Sequence, residues 1–174
     1  MDATALSRLR DGDEAAFVRL LELFERPISR YLLSLTGDRM LAEDLVQETF
    51  LRVYLHTKEL RDDAALKPWI YRIATNQAMT ALRRRSRFRW LPLTTVKAAP
   101  GFEEEIIEQQ WLRAALDRLP SDHVACLLLT RVEGMKSHEA AAVLGISPEA
   151  VRKRLSRVVE ALRAELGGDD SHAV

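Results

Sequence analysis

The chain is poor in cysteine, turn formers and aromatics, with one Cys, seven Gly, six Pro and 6% Phe, Trp and Tyr in 174 residues. One thiol cannot build a disulfide framework. Cys126 lies inside the apolar run VACLLL and reads as a buried group in a reducing compartment. The scarcity of Gly and Pro argues against a sheet that needs many turns. No apolar run reaches the length of about 20 residues that a membrane span requires. The first residues, MDATALSRLRDGDEAAF, are too charged for a secretory signal. These two absences lead to the expectation of a cytoplasmic protein with no direct membrane insertion. His56, His123, His138 and His172 lack metal-ligand spacing, and no glycine-rich phosphate loop is present. No metal, no other cofactor and no catalytic residue is expected.

What the chain does have is Leu, Ala, Arg and Glu in quantity, within a composition that is 47% hydrophobic and 30% charged. That mixture favours an all-α protein. Helical periodicity and cap signals predict helices at 3–10, 13–35, 40–56, 66–86, 104–118, 121–133, 137–144 and 148–166. Between Phe88 and Phe102 the periodicity stops, and Pro92, Pro100 and Gly101 punctuate the stretch. The organisation expected is two small helical domains, 1–87 and 104–167, joined by a flexible linker at 88–103 and followed by a disordered tail at 168–174. The linker carries Trp90, Leu91, Leu93 and Val96, more apolar surface than a freely solvated linker holds. Packing on the chain's own domains and docking on a partner both account for it.

Net charge is zero, but the charge is segmented. Residues 83–99 hold six basic side chains and no acidic one, whereas residues 100–133 hold seven acidic against three basic. A phosphate backbone responds to the local field rather than to the sum. Such a chain can also close on itself, with a basic helix face against an acidic surface of the first domain.

The stretch SHEAAAVLGISPEAVRKRLSR, 137–157, has the marks of a helix-turn-helix. Gly145 suits a turn that needs positive φ, Ser147 is placed to cap the second helix, and Pro148 sits at its first position. Val151, Leu155, Val158, Val159, Leu162 and Leu166 make one apolar stripe, with Arg152, Lys153, Ser156 and Arg157 on the other side. An ordinary amphipathic hairpin shares the stripe; cap, proline, glycine and basic face together favour DNA contact. Arg154 lies toward the side of the helix, where a phosphate or an acidic neighbour suits it.

Two further stretches carry information. In AEDLVQETFLRVY, 42–54, Leu45, Thr49 and Phe50 or Val53 face inward, leaving Asp44, Gln47 and Glu48 on an acidic outer face. In KPWIYRIATNQAMTALRRRSR, 67–87, Trp69, Ile70, Ile73, Ala74 and Leu82 mark the buried side, while Arg72 and Asn76 point outward one turn apart. Arg83, Arg84, Arg85, Arg87 and Arg89 follow. The helix dipole favours some cations at that end, but this cluster exceeds what capping needs and suits phosphate.

The order GDEAAF, AEDLVQETF, PWIYRIATNQA, a basic cluster, LDRLP, VEGMKSHEAAAVLGIS and VRKRLSR resembles the bacterial sigma factors of the extracytoplasmic-function (ECF) group. The resemblance runs from about residue 8 to 166 and departs from the family pattern at Thr80, His138 and Ala141. It implies a non-catalytic specificity subunit: a region 2-like domain for core RNA polymerase and the −10 element, and a region 4-like domain for the −35 element. By position, Asp44, Gln47 and Glu48 resemble the surface that docks on the clamp helices of the polymerase largest subunit. The flap of the second-largest subunit is the further polymerase contact implied. Arg61, Asp62 and Asp63 fall in the loop that captures a flipped −10 base, flanked by Lys67, Arg72, Asn76, Arg83 and Arg84. Trp69 resembles a structural position. Arg152, Lys153, Arg154, Ser156 and Arg157 match the recognition helix. The partners implied are core polymerase, promoter DNA and an anti-sigma factor. A stand-alone helix-turn-helix regulator and a helical adaptor without DNA binding are the rival readings. The regulator reading assigns no role to Asp44, Gln47 and Glu48, and the adaptor reading assigns none to Arg152 and Arg157.

Overall fold

Helix α1, Ala3–Arg10, turns through Gly12 into α2, Glu14–Thr36, because Asp13 caps the new helix from its side chain. The Asp13 carboxylate accepts from the Ala15 and Ala16 N–H groups at 2.9 and 3.2 Å and from Arg8 Nε at 2.6 Å. These donors, the Arg8 guanidinium foremost, hold its pKa below the usual carboxylate value. At the far end Gly37 adopts φ 65° and returns its N–H to the Leu33 carbonyl at 2.8 Å. Asp38 then caps α3, Arg39–His56, through the Leu41 N–H at 3.1 Å. A single 3-10 turn, Thr57–Glu59, ends this excursion. The structure, a computed structural model, describes residues 3–59, 65–87 and 113–167.

Helix α4, Leu66–Arg87, packs against both α2 and α3, and its buried face is Leu66, Ile70, Tyr71, Ala74, Thr75 and Ala78. After a helical stretch at 113–117, α5 runs Ser121–Leu127 and widens into a π-helical turn, Leu128–Val132. Helices α6, Ser137–Leu144, and α7, Pro148–Gly167, complete the fold. The described residues contain helices and turns but no strand. The predicted helices match to within a residue or two, except that the one expected over 121–133 changes pitch at Leu128. The linker 88–103, its apolar residues, the first part of the helix expected over 104–118 and the tail 168–174 lie outside the described residues.

The two halves, α1–α4 and α5–α7, are in contact: α6 packs along α4, and α5 touches α2 and α4. Leu20, Ile28, Leu32, Val53 and Ile70 from the first half and Leu129, Val143 and Val151 from the second belong to one buried cluster. Cys126 is buried there too, and burial raises its thiol pKa. Its packing therefore matches that of an inert core thiol.

Two hydroxyls in this core are ordered by proton count. Thr75 Oγ1 lies 2.6 Å from the Tyr71 carbonyl and 2.7 Å from Tyr31 Oη. The threonine has one proton, which goes to the carbonyl, so Tyr31 must be the donor to Thr75. Thr75→Val strands the Tyr31 hydroxyl in the core and is expected to cost about 1–3 kcal/mol. Tyr31→Phe removes the donor and leaves Thr75 bonded to Tyr71, so about 1 kcal/mol is expected. Urea unfolding of both variants checks the ranking, and equal losses would refute this proton assignment.

Candidate nucleic-acid interface

The carboxy-terminal half builds the helix-turn-helix from local chemistry. The Glu139 carboxylate reaches back to the Lys136 N–H at 2.7 Å and fixes the start of α6. Gly145 takes φ 65° and closes α6 through an N–H to the Ala141 carbonyl. Ser147 Oγ accepts the Ala150 N–H at 3.1 Å, and Pro148 opens α7. Val151 and Val158 are fully buried, with Leu155 partly buried on the same side. Arg152, Lys153, Ser156 and Arg157 are exposed. Lys153 meets Glu149 at 2.9 Å in an exposed i, i+4 pair, which is weak and readily exchanged for another anion. Arg154 is different: it is mostly covered and bonds Asp122 of α5 at 3.0 Å. Of the two partners the sequence allowed, the acidic neighbour holds it in this structure.

On α4, Arg72 and Asn76 are exposed one turn apart, as the periodicity predicts. Arg83 and Arg84 are exposed, whereas Arg85 reaches back to Asp38 at 2.7 Å. The arginine run is thus divided between a tie to the start of α3 and side chains open to solvent. Thr80 donates to the Asn76 carbonyl at 2.8 Å, so at this departure from the family pattern the hydroxyl back-bonds its own helix. Trp69 is half-buried against the core, in keeping with a structural role. Arg61, Asp62 and Asp63 lie outside the described residues.

Lys67 is engaged by the other half of the molecule. Its Nζ donates to the Glu133 carbonyl at 2.6 Å and lies 3.8 Å from the Glu133 carboxylate. The Tyr71 hydroxyl donates to that same carboxylate. Burial, then the bond to Glu133, raises the Tyr71 pKa far above its usual value. A second tie joins Arg113 Nη1 to the Ser34 carbonyl at 2.8 Å. The basic helix face, one of the surfaces that closure could cover, takes no part in this contact. Contact runs through α6, Glu133 and Arg113, while Arg152 and Arg157 stay in solvent. The reason is geometric, since the apolar side of α6 meets α4 and leaves the outer face of α7 open.

On α3, Asp44 and Gln47 are exposed, and Glu48 is half-exposed with Arg52 at 2.7 Å. Thr49, Phe50 and Val53 are all buried, so the two inward alternatives are both occupied. Leu51 and Leu55, at 53% and 63% exposure, continue the outer face at helical spacing from Asp44 and Glu48. The sequence reading passed over these two, although their spacing was visible. It also passed over Tyr71 and Glu133, for which no local signal exists. Among the described residues, no cluster of His, Cys, Asp and Glu could hold a metal, and no helix is long and apolar enough to cross a membrane.

Two family profiles match the chain in order, Sigma-70 region 2 over residues 20–88 and Sigma-70, region 4 over residues 109–162. The RNA polymerase sigma factor CarQ of Myxococcus xanthus is 34% identical over 167 residues, covering 93% of this chain and 95% of CarQ. The probable RNA polymerase sigma factor RfaY of Xanthomonas campestris is 33% identical over 168 residues; the match covers 89% of this chain but 41% of RfaY. Among solved structures, CnrH in complex with the cytosolic domain of CnrY superposes with a TM-score of 0.75 at 25% identity, covering 95% of this chain and 97% of that one.

Asp38 supplies a pH test of the α3–α4 tie. The Leu41 N–H, then Arg85, lowers its pKa in the folded state. The stabilisation is therefore present above the unfolded value near 4 and is lost as pH falls through the folded value. Asp38→Asn is expected to lower stability by a constant amount from pH 7 to 5, with the gap to wild type closing below about pH 4. Urea midpoints across that range check it, and a gap that widens on acidification would contradict the assignment.

Proposed function

We propose that the chain, which belongs to the extracytoplasmic-function group of RNA polymerase sigma factors, directs that enzyme in the cytoplasm to promoters with defined −10 and −35 elements, without catalysis of its own. The observation that carries the reading is the open, capped face of α7, where Arg152, Lys153, Ser156 and Arg157 stand exposed within the region 4 match. A helix of that kind enters the major groove, where arginine bonds guanine with two N–H groups, and lysine and serine serve bases or phosphates. Arg154 is assigned to holding α7 on α5, since its guanidinium is bonded to Asp122.

Region 2 supplies the other two contacts. The exposed cations and amide of α4, Arg72, Asn76, Arg83 and Arg84, with Lys67 once released, follow the opened −10 strand. Arg61, Asp62 and Asp63 are assigned, by the family resemblance alone, to capture of an unstacked −10 base through its exposed pairing edge. Asp44, Gln47 and Glu48 dock on the clamp helices of the polymerase largest subunit, and the exposed Leu51 and Leu55 add apolar area to that face. The flap of the second-largest subunit is the partner assigned to the carboxy-terminal half. Two modest DNA readers held on one enzyme act at high effective concentration, so neither needs to bind tightly alone. An anti-sigma factor is the regulator expected for this group. The complex of CnrH with CnrY supports a mode in which a second polypeptide engages the same fold.

Run-off transcription with bacterial core polymerase, on a fragment carrying the gene's own upstream region, tests the reading. Protein-dependent transcripts from one defined start are expected; failure to bind core polymerase at all would refute it in favour of a stand-alone regulator. Arg152→Ala and Arg157→Ala are each expected to cost about 1–3 kcal/mol of −35 recognition. That corresponds to roughly 5- to 150-fold in the protein concentration needed. Arg154→Ala is expected to lower the unfolding midpoint while leaving −35 sequence preference intact, and a relaxed preference would return it to the DNA face.

A further inference from the structure

Among the described residues, an acid that meets the candidate strand-binding helix from the other half comes from a widened turn. At Leu128–Val132 the backbone takes π-helical pitch, with the Glu133 N–H bonded to the Leu128 carbonyl at 2.9 Å. Gly134, at φ 68°, then turns the chain away toward α6. The result is that Glu133 presents a carbonyl oxygen and a carboxylate oxygen together to the first turn of α4. Lys67 takes the carbonyl, and Tyr71 takes the carboxylate, with the Lys67 ammonium 5.7 Å from the Tyr71 ring centroid. The Glu133 side chain is 9% exposed and Lys67 43%, so the acid is sunk between the halves while the lysine remains at the rim. A carboxylate so covered persists only where donors meet it. An ammonium and a phenol held side by side, one on the neutral carbonyl and one on the carboxylate of a single residue, with the ammonium 3.8 Å from that carboxylate, are also donors that a phosphodiester takes.

Geometry makes this contact exclusive with promoter binding. Elements at −35 and −10 lie about 25 base pairs apart, roughly 85 Å of duplex at 3.4 Å per pair. In this structure α6 of the region 4 half lies directly against α4 of the region 2 half. Reading both elements at once therefore requires the halves to part, and parting them frees Lys67. We propose that Glu133 is an internal stand-in for a promoter phosphate: it holds Lys67 and Tyr71 and keeps the protein closed until DNA on polymerase takes its place. The proposal rests on the reading of α4 as a strand-binding helix. Arg113, bonded to the Ser34 carbonyl beside Gly37, is the second fastening.

The latch acts as a population tax, because apparent affinity is reduced by the fraction of protein already open. Two readouts on the full chain test it. Small-angle X-ray scattering of the free protein reports opening without any assumption about function. Run-off transcription against protein concentration reports competition. Glu133→Ala is expected to raise the radius of gyration and to lower the half-maximal concentration by roughly 3- to 10-fold, with the saturating transcript level unchanged. Tyr71→Phe, which alters no charge, should move both in the same direction by less. Glu22→Ala, which removes an equally negative but exposed side chain of α2, should move neither. In a Lys67→Ala background Glu133→Ala should lower the half-maximal concentration by less than in the wild type, since only the Tyr71 bond is left to release. Unchanged scattering for Glu133→Ala overturns the latch, and expansion without a change in half-maximal concentration overturns the competition with DNA. Absence of transcripts from the wild type as well overturns the proposed function, a failure that the scattering of the free protein does not share.

Discussion

A relay of hydroxyl groups ties the molecule together, and the candidate surfaces depend on it. Tyr31 of α2 donates to Thr75 of α4, Thr75 donates to the Tyr71 carbonyl one turn earlier, and the Tyr71 hydroxyl donates to Glu133 in the other half. The rings of Tyr31 and Tyr71 meet edge to face with centroids 5.2 Å apart. Both phenols are fully or nearly buried, and burial raises both pKa values, so they stay protonated as donors throughout the working range. The apolar core sets how α2 and α4 approach, and the relay fixes their rotation. With Tyr71 turned inward, Arg72 and Asn76 have no choice but to face solvent.

The same relay marks where sequence reasoning stops. Gly145, Ser147 and Pro148 could be placed because each acts on residues within four positions of itself. Helix faces were legible for a similar reason: buried Leu45, Thr49 and Val53 and exposed Asp44 and Gln47 follow from period alone. Tyr71 carries no such mark, since an aromatic beside Ile70 fits a rim as well as a core. Arg83, Arg84 and Arg85 are identical in composition, yet one of them is held by Asp38, 47 positions away. Arg154 and Asp122 likewise meet only after α5 and α7 have packed. The change to π pitch at Leu128 has no periodic signature either, and it decides where Glu133 points. Local physics therefore located the surfaces, and long-range pairing decided which charges on them remain available.

That division matters because the chain is neutral overall. Arg8, Arg39, Arg52, Arg85, Arg113 and Arg154 are each matched to a carboxylate within 3 Å or so. Most of these pairs are exposed and contribute little to stability individually. Their larger consequence is subtractive. They remove cations from the general field and leave Arg72, Arg83, Arg84, Arg152 and Arg157 exposed on two helices, each within one family match. A uniformly basic protein would bind any duplex; under the proposed assignments a neutral one with exposed cations on α4 and α7 gains most from DNA where both helices are engaged together.

Closure of the halves imposes an order on that engagement. In the closed form Asp44 and Gln47 of α3 and Arg152 and Arg157 of α7 are all exposed, while Lys67 and Tyr71 of α4 are held by Glu133. Under the proposed assignments, docking on the clamp helices and first contact with the −35 element need no opening, but strand capture does. The step that is blocked is thus the last one, when duplex has begun to separate and a phosphate is close enough to displace a carboxylate. An enzyme-bound strand competes with Glu133 at an effective concentration that free DNA in solution does not reach. A latch of modest strength is then enough to silence the free protein and too weak to hold back the assembled complex. The switch is reversible because a phosphate offers Lys67 and Tyr71 charge-assisted bonds of the same kind in exchange.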